Sequence, residues 1–197
     1  DAENENIYYA YSDNEGVTWH KTDGTAYSLP ITWASGEIIV PLAGGSTETI
    51  ANGGSTSINN SSRPESVWLV GDSGGIDRYR HVWLDDSNVW HYDTLMPTTN
   101  SSGRVPSILC WPDGRRWMFF QNGAGGRGNT LRYYDIDVGT ETIILNKNML
   151  HYLPVVYYSV LRNEVFVLGP YERQDGVIAG DPADLGAQLN VPLLSIH

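Results

Sequence analysis

Lysine is nearly missing from this chain of 197 residues: Lys21 and Lys147 stand alone, and the other ten basic residues are arginines. Against 23 acidic residues they leave a formal charge of −11. That balance excludes a nucleic-acid partner, because holding phosphates requires a cationic surface. The arginine bias has two readings. Arginine's planar fork pairs bidentately with carboxylates and sulfates, which suits an anion site inside an acidic protein, and a lysine-poor secreted protein would show the same bias. Cysteine is scarcer still. Cys110 is single, so no disulfide closes within the chain, and its place in the apolar run 105–111 marks a small buried hydrophobe rather than a nucleophile. No apolar run is long enough to span a membrane, and no membrane partner is expected. Sustained helical periodicity is absent as well, which removes helical bundles and α/β folds.

What is present points one way. Seven Trp, twelve Tyr and 21 Gly accompany a 41% hydrophobic and 18% charged composition, and short aromatic or β-branched runs alternate with Gly, Asn, Asp and Ser clusters. The fold class is all-β, in a chain long enough to bury a sizeable core. The organising stretch is 7–20, IYYAYSDNEGVTWH. Tyr8 to Tyr11 read as a strand, Ser12 to Gly16 as a turn and Val17 to His20 as the returning strand. Within it Ser12, Asn14, Gly16, Thr18 and Trp19 follow the spacing S/T-x-D-x-G-x-T-W. A polar side chain there bonds the turn backbone, glycine relieves the corner and Trp packs between neighbouring sheets. This spacing resembles the Asp-box, or BNR repeat, of sialidase-like β-propellers, with Asn14 where aspartate is usual. Asn still accepts the turn's hydrogen bonds. In that family the box is structural, so it points to architecture and not to an active site.

Further along, 21–31 turns at Asp23 and Gly24, residues 37–42 are strand-like, and 43–62 reads as one long polar loop. Residues 64–72 read as a buried strand. The run 76–84 places Arg78, Arg80 and Val82 on one face and Tyr79, His81 and Trp83 on the other. A turn at Asp85 to Asn88 and a return at 89–95 repeat the opening pattern in degenerate form, which favours a propeller over a sandwich. A third unit follows with strands at 104–111, 116–121, 131–137 and 141–145. Its glycine-rich stretch 122–129 lacks the G-K-[ST] and following helix of a phosphate loop. A partial unit closes the chain, with strands at 151–161, 164–169 and 189–197.

A propeller needs at least four blades of four strands, and this chain holds roughly three to four. The expectation is that residues 1–197 form the C-terminal part of a single seven-bladed propeller domain. The remaining blades then come from an N-terminal fragment or another chain.

The phrases NIYYAYSDNEGVTWHKTDGTAYSLPI, RPESVWLV, YRHVWLDDSNVWH and GRVPSILCWPDGRRW resemble the BNR-repeat branch that contains ulvan lyases and rhamnose–glucuronate lyases. That resemblance implies a secreted enzyme that cleaves the bond on C4 of a uronic acid by β-elimination. Histidine and tyrosine would handle protons while arginine neutralises the uronate carboxylate, with no cofactor required. In those relatives the main catalytic residues lie upstream of the box, so the resemblance leaves the catalytic residues of this chain unknown. A sialidase-like glycoside hydrolase and a non-catalytic carbohydrate-binding propeller are the alternatives.

The substrate-binding candidates are Arg63 and Arg104, each just before a strand expected to reach the central funnel, with Tyr27, His81 and His151. Loop salt bridges, sheet packing and a surface pair are their respective structural alternatives. Structural calcium in an acidic loop is compatible with the composition, although no EF-hand spacing occurs. Sequons at Asn59, Asn60 and Asn100 sit in loop-like stretches, as acceptors in a secreted glycoprotein would. The expected partners are an acidic polysaccharide and the companion blades.

Overall fold

Short β-branched and aromatic runs, each closed by an Asn, Asp or Gly corner, set the architecture. The computed structural model describes residues 6–42, 48–72, 77–97, 105–122, 130–146, 155–159, 164–168 and 191–193. Among these residues there is no helix, and the sheets are antiparallel.

Strands β1 (Asn6–Tyr9) and β2 (Glu37–Pro41) form a two-stranded sheet. A four-stranded meander follows: β3 (Glu48–Ile58), β4 (Pro64–Asp72), β5 (Asp77–Leu84) and β6 (Trp90–Pro97). A second meander is built the same way from β7 (Ser107–Cys110), β8 (Arg116–Asn122), β9 (Thr130–Asp135) and β10 (Thr140–Asn146). A last sheet orders β11 (Val155–Ser159), β12 (Glu164–Leu168) and β13 (Val191–Leu193).

These sheets stack face on face. Val70 and Val82 meet Ile7, Val40 and Leu42 of the first sheet. From the opposite face of the same meander, Val67, Leu69 and Tyr79 meet Ile108, Met118 and Phe120 of the second. The far face of the second meander packs Trp117, Phe119 and Leu131 against Val165 of β12. A meander apolar on both faces explains why β4 and β8 read as continuous hydrophobic runs and not as an alternation. Each side chain buried in this way contributes about 1.5–3 kcal/mol.

Two expectations change. The stretch 43–62 is not one loop, because 48–58 is the edge strand β3. Its polarity serves packing. A Cβ on Gly54 would lie 2.4 Å from the Val67 carbonyl oxygen and 2.6 Å from the Trp68 ring, so only glycine fits under that indole. Gly53, at φ 106°, absorbs the register shift beside it. Ser55 Oγ and Ser57 Oγ accept hydrogen bonds from the Ile108 and Cys110 N–H groups, each at 3.3 Å. The hydroxyls therefore join β3 to the edge of β7, where a bulky apolar chain would leave those donors unpaired.

The opening hairpin also differs. The ladder of β1 is made with β2, and within the segment between them the expected hairpin is reduced to a single bridge, Tyr11 with His20. His20 in turn bridges to Ala26. The strand after the box is thus replaced by a folded excursion that returns only at Glu37.

The turns at one end of both meanders share a geometry. Asn59, Asp85 and Trp111, evenly spaced along the chain, each donate their N–H to the carbonyl four residues on and accept from the N–H three residues on. The fourth residue of each turn is left-handed: Ser62 and Asn88 at φ 60° and Gly114 at φ 97°.

Candidate functional site

The box turn is held by its own side chains. Ser12 Oγ accepts from the Gly16 N–H at 2.8 Å, and Asn14 Oδ1 accepts from the Thr18 N–H at 2.9 Å. The Asn14 amide group then donates to Thr18 Oγ1 at 2.7 Å, a bond that an ionised aspartate could not donate. Glu15 and Gly16, at φ 59° and 86°, make the corner. The Trp19 indole turns back on this corner and donates to the Gly16 carbonyl at 3.1 Å. The surface is exposed and made of satisfied groups, so it is a fold element.

The densest chemistry lies where the first meander meets the second. Glu65, 2% exposed, stands at the start of β4 on the face of Val67 and Leu69. Its Oε2 accepts from His81 Nε2 at 2.9 Å, and its Oε1 accepts from the Asn59 amide at 2.8 Å. Arg116 on β8 brings Nη1 to 3.7 Å from the same carboxylate and is itself gripped by Asp137 through Nε at 2.9 Å. Burial alone would push the Glu65 carboxyl up. The hydrogen bonds from His81 and Asn59 and the charges of His81 and Arg116 outweigh burial and hold it below the usual carboxylate range.

Cys110 closes the group from β7, half-buried, its thiol pushed up to about 12 by burial and by the Glu65 charge. It is no nucleophile at neutral pH. Burial likewise raises the Tyr9 phenol, helped by Tyr11 and Glu37. Neither group supplies a ready anion.

A second histidine–carboxylate pair lies at the β5–β6 turn. Asp85 Oδ1 accepts from the Ser87 and Val89 N–H groups, each at 2.8 Å, and Asp85 Oδ2 lies 2.8 Å from His91 Nε2. Led by the His91 hydrogen bond, these contacts hold the Asp85 carboxyl down. Trp83 separates the two imidazoles, stacking on His81 at 4.8 Å and 16° and on His91 at 5.3 Å and 20°.

The substrate-binding candidates distribute as follows. His81 is buried against Glu65. The Tyr27 hydroxyl donates to the Tyr9 carbonyl at 2.9 Å and accepts from the Glu37 N–H at 2.8 Å, so it extends the β1–β2 ladder. Arg63 ends the β3–β4 turn and precedes β4, which is flanked by strands on both edges. The strand that adjoins the next meander is β3. Arg63 Nη1 donates to Asn88 Oδ1 at 2.5 Å and Nη2 to the Asp86 carbonyl at 3.4 Å, joining two turns. Each of these three bonds a different partner within the fold. Arg104, His151 and the sequon Asn100 lie outside the described residues.

Of the overlapping sequons, the Asn59 amide is engaged with Glu65 and its Oδ1 with the Ser61 and Arg63 N–H groups, whereas Asn60 is exposed. For a structural calcium, no group of three or more His, Cys, Asp or Glu side chains converges among the described residues.

Sequence reasoning passed over Glu65 and Asp85. The signal for Glu65 was parity, since Glu65, Val67 and Leu69 must share one face of a buried strand.

No curated protein matches this chain. Among solved structures, a serine-to-alanine mutant of puromycin hydrolase in complex with PGG is similar, with 14% identity and a TM-score of 0.41, over 70% of this chain. The chain spans 21% of that one. Residues 1–97, which run from the box segment through the first meander, match the model of a family described as BNR repeat-containing.

Proposed function

We propose that this chain supplies blades to a secreted, seven-bladed β-propeller that cleaves an acidic polysaccharide at a rhamnose–glucuronate linkage by β-elimination. The observation that carries the reading is the Ser12–Asn14–Gly16–Thr18–Trp19 turn, whose side chains satisfy its backbone, inside a segment that matches a BNR-repeat family. Two successive meanders packed face to face, with β3 beside β7, are what neighbouring blades would present. The other blades, and the general acid and base, would come from a companion polypeptide.

The chemistry sets what such a site must contain. Removing the C5 proton of a uronate builds enolate charge on its carboxylate, so a nearby cation and hydrogen-bond donors lower the barrier. A histidine or tyrosine takes that proton, and an acid protonates the departing C4 oxygen. Arg63, Tyr27 and His81 each already bond a partner inside the fold. The proposed glycan contacts of this chain therefore fall first to Arg104 and His151.

The test is to incubate the complete protein, purified with any companion polypeptide, with rhamnose–glucuronate glycans and follow the absorbance of the unsaturated uronate. Appearance of that chromophore supports the reading, and Arg104→Ala should then raise KM more than Arg63→Ala does. Hydrolysis without the chromophore would select a sialidase-like hydrolase. Binding without any product would select a carbohydrate-binding propeller.

A further inference from the structure

We propose that Asn60, at the tip of the β3–β4 turn, is the N-glycan acceptor of the two overlapping sequons, and that the fold closes Asn59 to the same modification. The inference rests on the secreted part of the reading above and not on its lyase chemistry. In sequence the two sites are equivalent, since Asn59-Asn60-Ser61 and Asn60-Ser61-Ser62 each place a hydroxyl two residues after an asparagine. The structure separates them.

Asn59 is engaged through both its backbone and its side chain. Its N–H donates to the Arg63 carbonyl at 2.9 Å, and its carbonyl accepts from the Ser62 N–H at 3.0 Å. Its Oδ1 accepts from the Ser61 and Arg63 N–H groups, each at 3.0 Å, and its Nδ2 donates to Glu65 Oε1 at 2.8 Å. Nδ2 is the atom to which a glycan is attached, and here it is aimed at a carboxylate that is 2% exposed. A sugar on it would displace Glu65, whose other oxygen holds His81. Asn60 is exposed, and its amide makes no hydrogen bond among the described residues. Its Nδ2 lies beside the β7–β8 turn, 3.1 Å from where a Cβ on Gly114 would stand, so the glycine leaves room next to the amide.

The donor this chemistry requires is an oligosaccharide carried on a lipid pyrophosphate. Asn60 Nδ2 bonds to C1 of the first sugar and gives up one proton, while the C1–O bond breaks and its electron pair leaves with the pyrophosphate. Transfer to an unfolded chain reaches either asparagine, so the two diverge on folding. A chain modified at Asn59 loses the bond that anchors the turn to Glu65, whereas one modified at Asn60 keeps every bond of the turn. Three turns gather at this end, because Arg63 bonds Asn88 and the Asp86 carbonyl of the β5–β6 turn and Asn60 adjoins Gly114. The glycan therefore keeps the turn end of both meanders in solvent. Strand β6 ends and β7 begins at the opposite end, so the connection in which Arg104 falls joins the side that the glycan leaves open.

The experiment is glycopeptide mapping of the full chain directed through the secretory path of a eukaryotic cell, with enzymatic release of the glycan in heavy-oxygen water to mark the asparagine that carried it. Asn60 should carry the mark and Asn59 should not. Two variants each remove one sequon and spare both asparagines. Ser61→Ala keeps the backbone N–H that Asn59 holds and should leave the glycan in place. Ser62→Gly suits the φ of 60° at that position, and its secreted protein should carry no glycan in this turn, although Asn59-Asn60-Ser61 remains. Should Ser62→Gly not be secreted, the wild-type map and Ser61→Ala decide. A glycan on Asn59 in secreted protein, or none on Asn60 in the wild type, overturns the proposal. The map is read without substrate, so a protein that yields no unsaturated uronate still carries the Asn60 glycan, and the two readings fail separately.

Discussion

The opening segment, residues 6–42, and the first meander, residues 48–97, solve the same problem by different means. Both must satisfy backbone donors and acceptors in an all-β framework. The meander does so with ladders, β3 to β6 pairing in sequence. The opening segment has one short ladder, β1 with β2, and past it scattered backbone bonds, such as those between Tyr11 and His20 and from the Tyr27 N–H to the Trp19 carbonyl, are supplemented by side chains. Ser12 and Asn14 hold the box, Tyr27 extends the ladder, and Glu37 Oε2 accepts from the Thr22 N–H at 2.7 Å. The two regions meet through Trp90, whose indole donates to Thr22 Oγ1 at 2.7 Å and whose ring packs edge-on against Tyr9 at 4.9 Å. The lesson is that motif density marks where side chains supplement sparse backbone pairing. The plain apolar runs carry the bulk of the stability.

That contrast is broken most directly at Glu65. Replacing it by alanine strands His81 and Asn59 and removes the link to Arg116, so Glu65→Ala should destabilise by about 3–5 kcal/mol, the usual result of removing one member of a buried pair. Urea unfolding monitored by circular dichroism measures it. A loss no larger than that of a box mutant would show that the buried pair does not dominate. The pH profile sharpens the point. The native Glu65 carboxyl is held low, so its contribution is complete above the ordinary carboxylate pKa, about 4.3, and disappears as pH falls through its lower native value. The gap in urea midpoint between the wild type and Glu65→Gln should therefore be constant near neutrality and close only in acid.

Next in size is Gly54→Ala. The new methyl meets the Val67 carbonyl oxygen and the Trp68 ring inside ordinary contact distance, and a rigid backbone atom cannot yield. The expected cost is about 2 kcal/mol, again read from the urea midpoint. The matching change at Gly24, where nothing lies within 4 Å of an added Cβ, meets only the strain of its φ of 84° and should cost less. Equal losses would mean that Trp68 can shift aside.

These two glycines also show how far the sequence could be read. Strands β4 and β8 were legible because their apolar runs are continuous, and β5 because its two faces alternate, each bounded by corners of Asp, Asn or Gly. Strand β3 was not, since Gly53, Gly54, Ser55 and Ser57 look like a loop until Trp68 and the β7 backbone are in place to explain them. The box was legible from five residues and β2 was legible as a strand, yet their pairing was not, because β2 pairs with β1 across an excursion that no local pattern announces. Of the buried cluster, His81 was visible as a chemical residue and Glu65 was not. A carboxylate between Pro64 and an apolar run reads as a strand boundary until register places it opposite Trp83.

The smallest expected effect belongs to the residue that departs from the S/T-x-D-x-G-x-T-W spacing. Asn14→Asp keeps the oxygen that accepts from the Thr18 N–H, and loses the amide that donates to Thr18 Oγ1. The Thr18 hydroxyl can rotate and donate to the new carboxylate instead, at the expense of its contact with His20 Nε2 at 3.1 Å. A charge-assisted bond is then gained as a neutral one is lost. Added to a chain already at −11, the new charge offsets part of that gain. The net change should lie within about 0.5 kcal/mol. Ser12→Ala, which leaves the Gly16 N–H without its acceptor, should cost about 1 kcal/mol. Amide exchange at Gly16 and Thr18 separates the two variants: the first should leave both amides protected, and the second should expose Gly16. Loss of protection at Thr18 in Asn14→Asp would mean that the turn needs the amide donor, and that asparagine here is a requirement of this box.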